Sequence, residues 1–291
     1  MLCEASRARV PTAWAVLCLL FLGVVGCSVD RPFVAVRHVP ALRWPDGNNT
    51  GVPAGTHLRP SGSLVVSQPG TFVRGLDIAG CVVVLAANVT IEQTRITGSC
   101  VNLVENHSIG LVVRRTELIG VGQAANGQAI GYDHYQAVAV NIHGTGDGLR
   151  ANGDVLIQDS WIHDLQECAQ CHNDGVQISQ GRGIVVRHNR IENSLAQTSA
   201  LLVKADQGDI SGLDIADNIL DGGGYTVYLL NARYVVTNVR FRGNAFGRSY
   251  HPRGGRYGPV DVAVSPTSVV QWDSNIWLGT GDRVLLPGLR S

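Results

Sequence analysis

From about residue 63 onward, apolar and polar positions alternate in short bursts, and one nine-residue phrase keeps returning. Asn88-Val-Thr-Ile-Glu-Gln-Thr-Arg-Ile recurs as Gly110-Leu-Val-Val-Arg-Arg-Thr-Glu-Leu, Asp154-Val-Leu-Ile-Gln-Asp-Ser-Trp-Ile and Gly183-Ile-Val-Val-Arg-His-Asn-Arg-Ile. Gly212-Leu-Asp-Ile-Ala-Asp-Asn-Ile-Leu and Asn238-Val-Arg-Phe-Arg-Gly-Asn-Ala-Phe follow, with a weaker last copy from Val269. Spacings run from 22 to 31 residues, apart from one double step of 44. Alternation with period two makes each phrase a strand with one buried and one exposed face. A repeat of this length without helical periodicity predicts a β-solenoid. Leucine-rich repeats would need a Leu-x-x-Leu-x-Leu consensus and helical segments, and a propeller blade would be longer. The expectation is an all-β, single-domain right-handed parallel β-helix of about eight coils. The seventh position of the phrase is Thr94, Thr116, Ser160, Asn189, Asn218, Asn244 and Asn275, a column suited to bridging backbone groups between coils.

Two hexads align without a gap: Val176-Gln177-Ile178-Ser179-Gln180-Gly181 and Val203-Lys204-Ala205-Asp206-Gln207-Gly208. Stacked as neighbouring strands, they set Gln177 beside Lys204 and Ser179 beside Asp206. Val140-Asn141-Ile142-His143 upstream and Val227-Tyr228-Leu229-Leu230 downstream extend the expected outward column. It then reads Asn141, Gln177, Lys204, Tyr228, with His143, Ser179 and Asp206 alongside. Excursions at Val121–Gln136, Asp164–Asn173 and Arg248–Pro259 are expected to wall a groove over it. Lys204 is the only lysine; the other 22 of the 23 basic residues are arginine. A lysine can act as a base where an arginine cannot, although an ion pair with Asp206 on a solvated face explains it as well.

The 35 glycines fit a chain with many turns, and a net charge of zero argues against nucleic acid as a partner. Residues 1–26 read as a lipoprotein signal peptide. Arg7 and Arg9 precede an apolar stretch from Ala13 to Val25, and Val24-Val25-Gly26-Cys27 looks like a lipobox with Cys27 lipidated. The protein is therefore expected to be exported, held to the membrane by lipid alone. Residues 27–60, broken by Pro32, Pro40, Pro45, Pro53 and Pro60, read as linker and N-terminal cap, and residues 61–291 as the β-helix. In an oxidising compartment Cys81 and Cys100 could bridge neighbouring coils, and Cys168 and Cys171 could close a small loop. Cys168-Ala-Gln-Cys171-His172 also fits the spacing of a c-type haem attachment, but it opens a strand rather than lying on a helix.

The run Trp44-Pro45-Asp46-Gly47-Asn48-Asn49-Thr50-Gly51-Val52-Pro53-Ala54-Gly55-Thr56 resembles the opening segment of exported β-helix proteins in the pectate-lyase-like superfamily. His172-Asn173-Asp174-Gly175-Val176-Gln177 and Asp221-Gly222-Gly223-Gly224-Tyr225-Thr226-Val227-Tyr228 look like that group's central signatures. The resemblance implies the fold and an extracellular, carbohydrate-facing role, and leaves the reaction open. No adjacent Asp pair followed by Gly-His-Gly is present, nor a clear trio of calcium-binding Asp residues, so a calcium requirement stays open. Three functions follow. In β-elimination from a uronate, Gln177, Asn141 and Arg253 or Arg256 would neutralise the carboxylate. Lys204 or His172 would take the C5 proton, and Tyr228 or Lys204 would protonate the leaving oxygen. In glycoside hydrolysis, Asp174 and Asp206 would flank the bond; Asn173-Asp174-Gly175 resembles the catalytic Asn-x-Asp-Gly of polygalacturonases. The third is a non-catalytic glycan-binding or envelope lipoprotein. Tyr225 and Tyr228 offer a sugar-stacking surface in each. The expected partner is a polysaccharide or cell-envelope glycan, and the expected state a monomer.

Overall fold

The computed structural model describes residues 43–122, 124, 127–168 and 171–288. The expected signal peptide, Cys27 and the expected linker up to residue 42 lie outside the described residues. The rest is a right-handed parallel β-helix. Sheet A has ten strands, from Arg59–Ser61 to Ile276–Trp277. Sheet B has nine, from Leu64–Val66 to Gly258–Ala263, and sheet C nine, from Phe72–Arg74 to Val270–Asp273. The chain visits A, B and C in turn, and each strand pairs in parallel with its counterpart one coil away.

Nine strands in sheets B and C make one coil more than the eight expected. The double step hides it. Tyr135–Val138 is a strand of sheet C, paired with Leu111–Arg114 on one side and Val155–Gln158 on the other. Gln128–Gly131 is a strand of sheet B. The stretch expected as an excursion at Val121–Gln136 is therefore regular coil only from Gln128 on, with a longer turn between Gly120 and Gln128. Its phrase escapes notice because Val140 fills the position that Thr, Ser or Asn holds in the other coils.

The seventh position closes the turn from sheet C to sheet A. Ser160 N–H donates to Asn189 Oδ1 (2.9 Å), Asn189 N–H to Asn218 Oδ1 (2.9 Å), Asn218 N–H to Asn244 Oδ1 (3.1 Å) and Asn244 N–H to Asn275 Oδ1 (3.1 Å). Each Nδ2 in turn donates to the carbonyl of Ile157, Val186, Ile215 or Phe241. These side chains thus take up backbone groups that a tight turn would otherwise bury unpaired. Thr94 and Thr116 instead bond a carbonyl of their own coil, and Ser160 does both, its Oγ accepting the Val140 N–H (3.2 Å) and donating to Gln158 O. The residue just before the ladder is left-handed in every one of these turns: Gln93, Arg115, Ala139, Asp159, His188, Asp217, Gly243 and Ser274 have φ between 46° and 65°. That conformation costs a non-glycine residue energy, which the ladder's hydrogen bonds offset.

Inside, aliphatic rows run along the axis, such as Ile91, Val113, Ala137, Ile157, Val186, Ile215 and Phe241 on sheet C, all fully buried. Each large member stabilises the fold by about 1.5–3 kcal/mol. At the C-terminal end Val284 and Leu286 fold over the core, and Trp272 Nε1–H donates to Val284 O (2.7 Å). Disulfides join Cys81 to Cys100 on consecutive coils and Cys168 to Cys171 within the Asp164–Asn173 loop. The opening segment lies along the outside of the helix. Trp44 stacks on His188 (5.2 Å between rings), Gly47 packs at Trp161, and Gly51 N–H donates to Ala139 O (2.9 Å). The segment therefore runs back from the middle coils toward the first strand.

Candidate functional site

The polar column exists, but in a different register from the one the hexads suggest. Gln177 pairs with Leu202, Leu202 with Tyr228, and Tyr228 with Asp261. On the other side Gln177 pairs with Arg150. Lys204 stands beside Leu230, two positions further along its strand. Asn141 and His143 belong to sheet A, where they pair with Glu117 and Ile119. Ser179 is buried at the strand's end, its N–H donating to Asn152 Oδ1 (3.2 Å). The cause is general: a slip of two residues leaves every side chain on its own face, so alternation cannot detect it.

The outward row of sheet B therefore reads Arg150, Gln177, Leu202, Tyr228, Asp261 on five consecutive coils. Arg150 donates from Nε and Nη2 to Gln177 Oε1 (3.1 and 2.7 Å), and its guanidinium lies 5.6 Å from the Tyr132 ring centre. Lys204 is on the same face, about 7 Å further along the strand from Leu202. Its Nζ is 3.7 Å from Asp206 Oδ2, and both side chains are about two-fifths exposed (43% and 39%).

A second polar row runs at the start of the same strands: Asn102, Gln128, Asp147, Asp174, Ser199, each less than a tenth exposed. Gly148 and Gly175 turn inward, since a Cβ there would meet the core residues Ile162 and Ile191. The preceding Asp147 and Asp174 accordingly face outward, under the loops that lead into sheet B. Asp174 N–H donates to Asp147 Oδ1 (2.9 Å), and Ser199 Oγ–H donates to Asp174 Oδ1 (2.5 Å). Asp174 Oδ2 is buried with no donor. Burial raises the Asp174 pKa well above the carboxylate range, and the Asp147 charge adds to it. Burial likewise raises Asp147, against the Asp174 N–H and the Arg150 charge. Tyr228 is raised by burial, with the charges of Asp261, Tyr225 and Asp174 contributing.

The run Asp221-Gly222-Gly223-Gly224 holds the third excursion. Asp221 Oδ2 accepts the Ser249 N–H (3.1 Å), Gly223 O the Arg256 N–H (2.9 Å), and Gly224 O the Tyr257 N–H (2.7 Å). Gly247 has no room for a Cβ beside the Asp221 carboxylate. The excursion so fixed brings Tyr257 to Tyr225 (5.8 Å between rings), which meets Tyr228 edge-on at 5.3 Å. Arg256 lies 5.6 Å from the Tyr257 ring, and Arg253 Nη2 donates to Arg256 O (2.8 Å). An aromatic and basic wall thus closes one end of the row.

His172 is exposed in the Asp164–Asn173 loop, and Asp206 lies in the turn after Ala205. Asp174 has Asp147, not Asp206, as its carboxylate neighbour. Asn141, His143 and His163 form a separate network on sheet A. There His163 Nε2 meets Asn141 Oδ1 (2.9 Å), its ring stacks on Trp161 (3.6 Å), and His143 and Arg95 hold Glu117 down at about 2. Sequence reading missed Arg150, Asp147, Tyr132, Tyr257 and Asp261. Arg150 and Asp147 had a signal, since Asp147-Gly-Leu-Arg repeats the pattern of Asp174-Gly-Val-Gln one coil earlier. Among the described residues no group of three or more His, Cys, Asp or Glu is arranged to hold a metal ion. No protein family, curated protein sequence or solved structure matches the chain.

Proposed function

We propose that the protein is an exported polysaccharide lyase of the pectate-lyase-like kind, cleaving a uronate-containing glycan laid along the outer face of sheet B. One observation carries the reading: Arg150, Gln177 and Tyr228 share one accessible row, with Lys204 one step along the same face. Arg150, held by Gln177, binds the uronate carboxylate and draws charge from C5. Lys204 removes the C5 proton, the C4–O4 bond breaks as the C4–C5 double bond forms, and Tyr228 gives its proton to the leaving oxygen. The phenol, its pKa raised further by burial, carries that proton at neutral pH. Positioned acid and base groups contribute about 10²–10⁴-fold each. The disulfides fit the oxidising compartment to which a lipid anchor at Cys27 would deliver the chain.

The buried carboxyl pair favours one other reading, hydrolysis by Asp147 and Asp174, whose strands lie about 4.8 Å apart. It requires the loops over Asp174 to move, since that side chain is fully buried. A panel of acidic and neutral polysaccharides separates the two. A lyase produces unsaturated uronyl ends that absorb ultraviolet light; a hydrolase produces reducing ends without that absorbance. Arg150→Ala, Tyr228→Phe and Lys204→Arg should each fold and lose turnover by at least about 100-fold. Full turnover in Lys204→Arg would remove the amine as base, because guanidinium does not deprotonate in proteins.

A further inference from the structure

The spacing of charges along the outer face of sheet B limits which acidic glycans can lie there. Adjacent coils are ~4.8 Å apart, close to the advance of one sugar in an extended chain, so each coil meets about one sugar. The row begins upstream at Glu105, whose neighbour is Gly131; Gly131 follows Ile130 as Arg150 follows Leu149. From Arg150 it continues through Gln177, Leu202 and Tyr228 to Asp261. Arg150 is the only cation in it. Gln177 gives its Oε1 to Arg150, Leu202 is less than a tenth exposed, and a tyrosine is uncharged at neutral pH. Lys204 has Asp206 Oδ2 at 3.7 Å, and a lysine that acts as a base is neutral when it does so. It is no counter-ion for a second carboxylate. The next cations, Arg253 and Arg256, lie in the excursion that leads into Gly258–Ala263, the strand four coils on from Arg150. Two coils from Arg150 in the other direction stands Glu105, its side chain about a third exposed (35%).

We infer that the substrate is a heteroglycan in which two or more uncharged sugars separate each uronate from the next, and that Glu105 is the residue that rejects denser charge. This rests on the reading of sheet B as the glycan-facing surface and of Lys204 as the base. With one carboxylate on Arg150, a polymer charged at every sugar, or at every second one, sets another against Glu105. Like charges so placed cost affinity, and a specific site uses that cost to discriminate. A polymer charged at every fourth sugar avoids Glu105 and brings its next carboxylate to the coil of Arg253 and Arg256. The chain as a whole does not offset the repulsion, since its net charge is zero and it has no general attraction for a polyanion.

The test measures binding of end-labelled octasaccharides to the whole protein by fluorescence polarisation, at low salt so that charges are not screened. Tyr228→Phe is the background, because it suppresses cleavage without changing the charge of the row. The probes are fragments of polygalacturonate, hyaluronan and deacylated gellan, in which every, every second and every fourth sugar is a uronate. The gellan fragment should bind most tightly, and the polygalacturonate fragment at least about tenfold more weakly. Glu105→Gln should tighten polygalacturonate and hyaluronan by about twofold and Glu105→Arg further, with the gellan affinity unchanged. Polygalacturonate bound as tightly as gellan, no gain on removing the Glu105 charge, or no binding of any fragment overturns the inference. Binding is read without turnover, so the two readings fail separately. The expected order of affinities without ultraviolet-absorbing ends from the wild-type protein would sink the lyase reading alone; such ends from polygalacturonate, with the order reversed, would sink this one alone.

Discussion

Removing one rung of the asparagine ladder is a stringent test of how this fold is held. Asn218 is fully buried. Its Oδ1 accepts from Asn189 N–H (2.9 Å) and Asn189 Nδ2–H (3.0 Å); its Nδ2 donates to Val186 O (2.9 Å) and Asn244 Oδ1 (2.9 Å). In Asn218→Ala the Asn189 amide keeps its bond to Ile157 O, and Asn244 Oδ1 keeps the Asn218 N–H. One buried backbone group does not recover, the Asn189 N–H, while Val186 C=O loses its second donor but stays in the paired strand. At about 1–3 kcal/mol for an orphaned group, the loss is roughly 1–3 kcal/mol, against a total stability of about 5–15 kcal/mol. The control is Arg242→Ala, which breaks an ion pair to Asp214 (3.1 Å) on a half-exposed side chain and should cost about 0–1 kcal/mol. Urea denaturation followed by circular dichroism reads both. A loss below about 1 kcal/mol for Asn218→Ala, with an unchanged denaturant slope, would show that the turn holds without its ladder and refute the reasoning.

Three further outcomes are expected. The raised Asp147 and Asp174 pKa values mean that the folded state binds more protons than the unfolded one. Stability should therefore fall as pH rises from the ordinary carboxylate range through the raised values, and Asp174→Asn should flatten that fall in denaturation midpoints taken across pH. The Cys81–Cys100 bridge closes a loop of sequence separation 19; Cys100→Ser should cost about 3 kcal/mol in urea denaturation, and no loss would mean that the stacked coils need no tether. Cys27→Ala should move the protein from the membrane fraction to the soluble one, and continued tight association would count against lipid attachment.

The fold was legible because its signal is repeated. Strand alternation, a 22–31-residue period and the column from Thr94 to Asn275 each arise from stacking, which imposes the same turn on every coil. One coil stayed hidden because Val140 breaks the column. The site was legible in part. Gln177, Tyr228, Lys204 and Asp174 were marked from sequence and share the outer face of sheet B. Asn141 and His143 were assigned to the same column because Val140-Asn-Ile-His alternates as a strand should; alternation does not say to which of three sheets a strand belongs. The partners Arg150 and Asp147 depend on the hydrogen-bond register between coils, which is fixed by loop lengths and not by the pattern within a strand.

Those loop lengths also explain why the candidate chemistry sits on sheet B and not elsewhere. Between sheets C and A the turn is two residues long at each ladder position, from Gln93–Thr94 to Ser274–Asn275. An insertion there would break the ladder and strand its buried backbone groups. The turn from A to B carries no ladder and ranges from two residues, Gly80–Cys81, to eleven, Gly247–Tyr257. Extra chain is tolerated where loop closure is the only cost, which grows slowly with length. Excursions therefore gather at the edge where strands of sheet B begin, cover Asp147 and Asp174, and raise Tyr257 and Arg256 beside Tyr225. The outer face of sheet A lies on the other side of the same turns, and at Glu117, Asn141 and Trp161 the opening segment runs along it. Sheet B is left as the face that is both walled and open, with Arg150, Gln177 and Tyr228 along its floor.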